Sequence, residues 1–146
     1  MIVFVDTNVL LYAQDPRDPR KQAAAVQWLS WCWRTQGGGL STQVLNELYA
    51  NLQRVAPSLP AADARAIVRR YRGWKCWLVD DATVDLAWLL QDRFTLSYWD
   101  SLMVAAAQQM GSTYLLTEDL QHEQRFDNVQ AINPFKANSE LLEQVK

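Results

Sequence analysis

Met1-Ile2-Val3-Phe4-Val5-Asp6-Thr7-Asn8 is a short apolar run that stops on a carboxylate. Ile2 to Val5 is rich in β-formers and lacks polar alternation, so it reads as a strand buried on both faces, as in parallel sheets. In open α/β sheets ligands bind outside the carboxyl ends of the strands, where the strand order reverses. An Asp in that place is either an N-cap for the next helix or a metal ligand. Which it is depends on how many other acids reach the same point.

Outward from this run, strand and helix patterns alternate. Thr7 to Gln14 reads as a short helix or turn, ended by Asp15-Pro16-Arg17-Asp18-Pro19. Arg20 to Thr35 is helical in pattern, and Gln36-Gly37-Gly38-Gly39 stops it. Gly39 to Ser41 is a candidate second strand. Thr42 to Val55 is amphipathic, with Val44, Leu45, Leu48, Leu52 and Val55 at helical spacing. Pro57 and Pro60 break the chain before a helix over Ala61 to Tyr71. Cys76 to Val79 reads as a third strand ending at Asp80-Asp81, followed by a helix over Ala82 to Gln91. Ser97 caps a helix over Tyr98 to Met110, which Gly111 ends. Thr113 to Leu116 is a fourth strand closing on Thr117-Glu118-Asp119, and Val129 to Ile132 a fifth. The alternation predicts an α/β fold, a parallel sheet with helices on both faces.

The 146 residues suit a single domain, 1–146, and 49% hydrophobic residues suffice for a core. Net charge is −2 and the pI about 5.3, so there is no overall basic footprint of the kind nucleic-acid binders carry. An acidic protein acting on a polyanion needs local positive charge, from metal ions or a small basic patch. Cys32 and Cys76 form neither a metal spacing nor a disulfide framework, and each adjoins Trp, as core thiols do. There is one histidine, His122, which excludes a multi-His zinc site. No signal peptide or membrane-spanning run is evident, so a cytoplasmic location is expected.

Three further acids are placed to join Asp6. Glu47 borders the apolar stripe of its helix instead of opposing it, although Glu is an ordinary solvated helix residue. Asp100 sits in the first turn after Ser97, where a capping box or the helix dipole would also favour an acid. The helix beyond it, Leu102 to Ala107, is almost wholly apolar or small, which puts Asp100 near the sheet's end. Asp119 follows the fourth strand as Asp6 follows the first, and a turn or cap role is again open. Four acids in a partly dehydrated cleft would repel and partly protonate. A divalent ion relieves that repulsion, and oxygen-only ligands favour Mg²⁺ or Mn²⁺. Such ions polarise a phosphoryl oxygen, acidify water and align an in-line attack, so phosphodiester hydrolysis is the chemistry this set serves best.

Asp6-Thr7-Asn8 after the first strand, Asn46-Glu47 on an early helix, Trp99-Asp100-Ser101 opening an Ala-rich helix, and Leu116-Thr117-Glu118-Asp119 after the fourth strand together resemble a PIN domain. Within that family the chain is most similar to the ribonuclease toxins of bacterial VapBC-type toxin–antitoxin pairs, over nearly its whole length. The resemblance implies a three-layer α/β/α sandwich with parallel strand order 3-2-1-4-5, which sets Asp6 and Asp119 on either side of the switch point. It implies Mg²⁺ or Mn²⁺, RNA cleavage, a homodimer, and an antitoxin whose C-terminal tail blocks the site. Carried over by position, Asp6, Glu47 and Asp100 are the core metal ligands, and Asp119 binds metal directly or through water. Asn8 and Thr117 are then placed to hydrogen-bond the carboxylates or bound water. One departure is local: Gln121-His122-Glu123-Gln124 carries Glu where similar relatives carry Gly, which leaves the loop conformation open.

Other features have two readings. Arg65, Arg69 and Arg72 share a helical face that would grip phosphates or stay solvated. Of seven Trp, Trp28 and Trp31 share a face, and core packing, an interface groove or base stacking would each use them. Glu118 either assists at the metal or faces solvent. Two rival functions stand beside the nuclease: a PIN-like RNA-binding module without catalysis, and a receiver-like regulatory domain phosphorylated on Asp80. The second lacks the doubly acidic cluster after the first strand and a Lys near Ile132.

Overall fold

A computed structural model describes residues 1–143. β1 (Val3–Val5) is buried throughout, as its unbroken apolar run requires, and leads into α1 (Thr7–Tyr12) and α2 (Pro19–Thr35). β2 (Gly38–Ser41) precedes α3 (Thr42–Val55) and α4 (Ala61–Tyr71). β3 (Lys75–Trp77), α5 (Asp81–Phe94) and α6 (Tyr98–Gln109) follow. β4 (Tyr114–Leu116), β5 (Arg125–Phe126), β6 (Val129–Ile132) and the single turn α7 (Glu140–Glu143) end the described chain.

The strands form one six-stranded sheet in the order β3-β2-β1-β4-β6-β5. Val3 lies beside Gly38 on one side and Tyr114 on the other, and β6 pairs parallel with β4. The expected 3-2-1-4-5 arrangement is therefore present, with Val129–Ile132 as the fifth strand in space. What the sequence reading lacked is β5, a two-residue strand antiparallel to β6. Its turn passes through Asp127, whose φ of 56° is left-handed, a conformation Asp tolerates better than most residues. The crossovers from β1 to β2 to β3 run one way along the sheet, and the jump from β3 to β4 runs the other way. Right-handed crossovers then put α1–α4 and α5–α6 on opposite faces. The reversal falls between β1 and β4, which is where Asp6 emerges.

The glycine run acts differently from a helix stop. Gln36 itself turns left-handed at φ 57°, and Gly38 and Gly39 belong to β2. A Cβ on Gly38 would stand 2.6 Å from the Trp74 indole, so β2 reaches its register only because that position is bare. Trp28 is 1% exposed, and its indole N–H donates to the carbonyls of Pro134 (3.2 Å) and Ala137 (3.1 Å). Trp31 is likewise buried, so these two belong to the core and not to an open groove. Trp33 is partly exposed and packs on Tyr71 and Trp74. No helix among the described residues is long and apolar enough to cross a membrane.

Candidate functional site

Asp6 is the residue at the N-cap position of α1, but its side chain makes no capping hydrogen bond. Instead its Oδ2 accepts from the Thr117 hydroxyl at 2.9 Å, across the β1–β4 switch point. Asp6 is 6% exposed. An acid that neither caps its helix nor faces open water needs another reason to be there.

The other acids arrive from separate elements. Glu47 projects from α3 and is held at both oxygens. Oε2 accepts from the Thr7 hydroxyl at 2.7 Å, and Oε1 from the Gln43 amide at 3.0 Å. Asp119 stands in the loop after β4. Its Oδ2 accepts from the Asn8 amide at 2.7 Å, and its backbone N–H donates to Thr117 Oγ1 at 3.1 Å. The Thr117 hydroxyl thus links the Asp119 backbone to the Asp6 carboxylate. Asp100 lies in the first turn of α6, whose start is capped by Ser97 Oγ accepting from the Asp100 N–H at 3.1 Å.

These acids sense one another. Burial pushes the Asp6 carboxyl up to about 7; the Thr117 hydrogen bond opposes this, and the charges of Asp119, Glu47 and Asp100 add to it. Asp100 is raised by burial and by Glu47, against the pull of Ser97. Asp119 is raised by burial and by the charges of Asp100 and Glu118, while hydrogen bonds involving Asp6 and Asn8 draw it back. No Lys or Arg among the described residues is paired with any of the four acids. The oxygens of Asp6, Glu47 and Asp119 are nevertheless held by Thr7, Asn8, Gln43 and Thr117, and no three acidic, His or Cys side chains among the described residues converge as a finished metal shell. The donor set still fits a hard divalent cation. It is all oxygen, it lacks a resident counter-charge, and it contains one buried acid whose ionisation is opposed.

Thr7 and Gln43 were not foreseen as partners of the carboxylates. Gln43 had a signal, since it stands four residues before Glu47 on one helix face. Thr7 had a weaker one, its place between Asp6 and Asn8. Glu118 is turned toward α1 and α2, where Tyr12 Oη and Lys21 Nζ donate to it, Lys21 at 2.9 Å. His122 is half-buried, and its Nδ1 accepts from the Asn133 N–H at 3.0 Å, pinning the loop after β4 to the end of β6. Glu123 has φ 69° and so keeps the left-handed turn that a glycine would take there. Asp80 caps α5 through Oδ1, which accepts from the Thr83 N–H and hydroxyl, and it follows the edge strand β3, away from the switch point. Arg65 and Arg69 of α4 and Arg72 just after it are exposed, with Arg65 Nε donating to Tyr49 Oη at 3.2 Å.

A family model described as the PIN domain matches residues 3–129. The fold is similar to that of VapC20 from Mycobacterium tuberculosis, a toxin that cleaves the sarcin–ricin loop. That match has a TM-score of 0.60 and 22% identity, and covers 80% of this chain and 91% of that one. It is also similar to VapBC2 from Rickettsia felis bound to a DNA fragment from its promoter, with a TM-score of 0.63, 16% identity and coverage of 90% and 97%. A toxin–antitoxin complex from Klebsiella pneumoniae matches with a TM-score of 0.63, 14% identity and coverage of 92% and 98%. At these identities the likeness is one of fold. No curated protein sequence matches the chain.

Proposed function

The chain belongs to the PIN-domain family, and from that premise we propose that it is a divalent-metal-dependent endoribonuclease, the toxin of a toxin–antitoxin pair. The observation that carries this reading is Asp6: an acid at the switch point, 6% exposed, free of any capping duty and pushed up to about 7 with other acids around it. In this reading Asp6, Glu47, Asp100 and Asp119 hold Mg²⁺ or Mn²⁺. The bound ion supplies Lewis-acid polarisation of the phosphoryl oxygen and acidification of the attacking water.

The chain's own residues do the rest. Thr117 fixes the Asp6 carboxylate, Thr7 and Gln43 fix that of Glu47, and Asn8 fixes Asp119. Hydroxyl and amide partners of this kind orient ligands before a cation arrives. The solved complexes that share this fold support an antitoxin as the protein partner. The family resemblance adds a second copy of the chain.

The test is cleavage of RNA by the purified chain with Mg²⁺ or Mn²⁺ and with EDTA, beside Asp100→Asn. The reading expects cleavage that needs the metal and falls by at least about 100-fold in the variant, the scale on which removing a charge-stabilising group acts. Equal cleavage in EDTA, or by Asp100→Asn, overturns it. If a small open reading frame adjoins its gene, co-expression with that product should yield a complex that no longer cleaves.

A further inference from the structure

Beside the acids, on the α3–α6 side, lies a cavity of about 480 Å³. That volume lies within the range, roughly 300–1,000 Å³, of pockets that take small ligands. Thr42, Gln43 and Asn46 of α3 form one wall, with Val79, Trp99 and Leu102 opposite, and Glu47 stands at its edge. Trp99 is 62% exposed, and its ring rests edge-on against Tyr98 with centroids 5.2 Å apart. An indole left so open, one residue from Asp100, offers a flat stacking face at the border of the acidic cleft.

Gln43 adds a directional polar group. Its Nε2 donates to Glu47 Oε1 at 3.0 Å and to the Trp99 carbonyl at 3.2 Å, so both amide hydrogens are spent and the orientation of the amide is set. The Oε1 atom is then an acceptor, and it is buried without a hydrogen-bond partner among the described residues. At the rim, Asn46 Nδ2 donates to the Thr42 carbonyl at 2.9 Å, which turns its Oδ1 into a second acceptor. Apolar walls, an open indole and amide acceptors are the chemistry that receives a planar heterocycle bearing N–H donors.

We propose that this cavity holds one nucleobase of the RNA strand next to the cut, stacked on the open face of Trp99 with its polar edge toward the exposed Asn46 amide. The inference rests on the nuclease reading, and the experiment separates the two. The probes are fluorescein-labelled 12-nucleotide oligo(A), oligo(C) and oligo(U). Their binding is followed by anisotropy in EDTA at low salt, and their cleavage is followed separately in Mn²⁺.

Trp99→Ala should weaken binding of the oligonucleotides by about 10-fold, within the range that stacking a base on one aromatic residue supplies. Trp99→Phe should keep much of the wild-type affinity. The Gln43 bond is made to the Trp99 backbone carbonyl, so truncating the exposed ring leaves it in place; an unchanged melting curve verifies the fold. Binding that Trp99→Ala leaves unchanged, in a chain that cleaves RNA, overturns the pocket and leaves the nuclease standing. A chain that neither binds nor cleaves any of them overturns both.

Discussion

Asp6→Asn should make the metal-free protein more stable. Asn keeps the size of the side chain and an acceptor for the Thr117 hydroxyl, and it removes the charge. Asp6 is pushed up to about 7, against ~3.9 for an ordinary Asp, and at ~1.36 kcal/mol per pH unit the difference is about 4 kcal/mol. Below pH ~4 the carboxyl is protonated in the folded and the unfolded chain, so its charge has no effect on folding. Between pH ~4 and about 7 the unfolded chain ionises while the folded chain keeps its proton, so stability falls as pH rises. Above about 7 the loss is complete.

The variant should therefore match wild type near pH 4 and exceed it at pH 8 by on the order of 4 kcal/mol, or roughly 10 °C in Tm for a chain of this size. Thermal unfolding of both proteins in EDTA across pH 4–8 reads this directly. The other carboxyls titrate in both, so the difference between the curves reads Asp6 together with its coupling to Asp119, Glu47 and Asp100. Mn²⁺ at pH 8 should then raise the Tm of wild type far more than that of the variant, since a ligand specific to the folded state stabilises by mass action. A variant equal to or less stable than wild type at pH 8, or a gap that does not close toward pH 4, refutes the account of Asp6 as an acid confined against its own charge.

Three other outcomes follow from the geometry. Glu123→Gly relieves a left-handed backbone at φ 69° and should stabilise by about 1 kcal/mol in urea unfolding, with the His122–Asn133 bond retained. Gly38→Ala drives a methyl to 2.6 Å from the buried Trp74 ring and should destabilise by about 1–3 kcal/mol with a shift in tryptophan fluorescence. Thr117→Val removes the hydroxyl that donates to Asp6 and accepts from the Asp119 N–H, so it should cost about 1–3 kcal/mol of stability and lower RNA cleavage together.

The parallel strands and nearly every helix were legible because burial on both faces writes unbroken apolar strands, and because caps and breakers punctuate helices; the order of the strands came from the resemblance to the PIN domain. Three things were not legible, for three reasons. β5 has two residues, too few for any periodicity, and it exists because β6 offers it an edge. The Gly37-Gly38-Gly39 run looked like a helix stop, but Gly38 is set by Trp74, a neighbour in space far along the chain. Trp28 and Trp31 shared a face as their spacing predicts, yet the spacing could not say that this chain's own core, including the Pro134–Ala137 segment, would cover them. At the site, the residue type of Asp6 suited a cap and a ligand equally. Only the direction of its side chain, toward Thr117 and not toward its own helix, separates those roles. Glu118 and Asp119 are adjacent acids in the loop after β4, and their side chains take different partners. Lys21 and Tyr12 claim the first, a pairing that depends on how α1 and α2 pack.

β4 sits between β1 and β6, hydrogen-bonded to both, and the loop that follows it brings Asp119 back to Asp6. Those residues stand at opposite ends of the chain, with Glu47 and Asp100 spaced between. During synthesis a ribosome has therefore made every other element of the site before β4 emerges, and β4 gains its second neighbour only when residues 129–132 are free. A chain released before β4 holds Asp6, Glu47 and Asp100 but lacks Asp119 and the Thr117 hydroxyl, so the Asp6 carboxylate has no partner across the switch point.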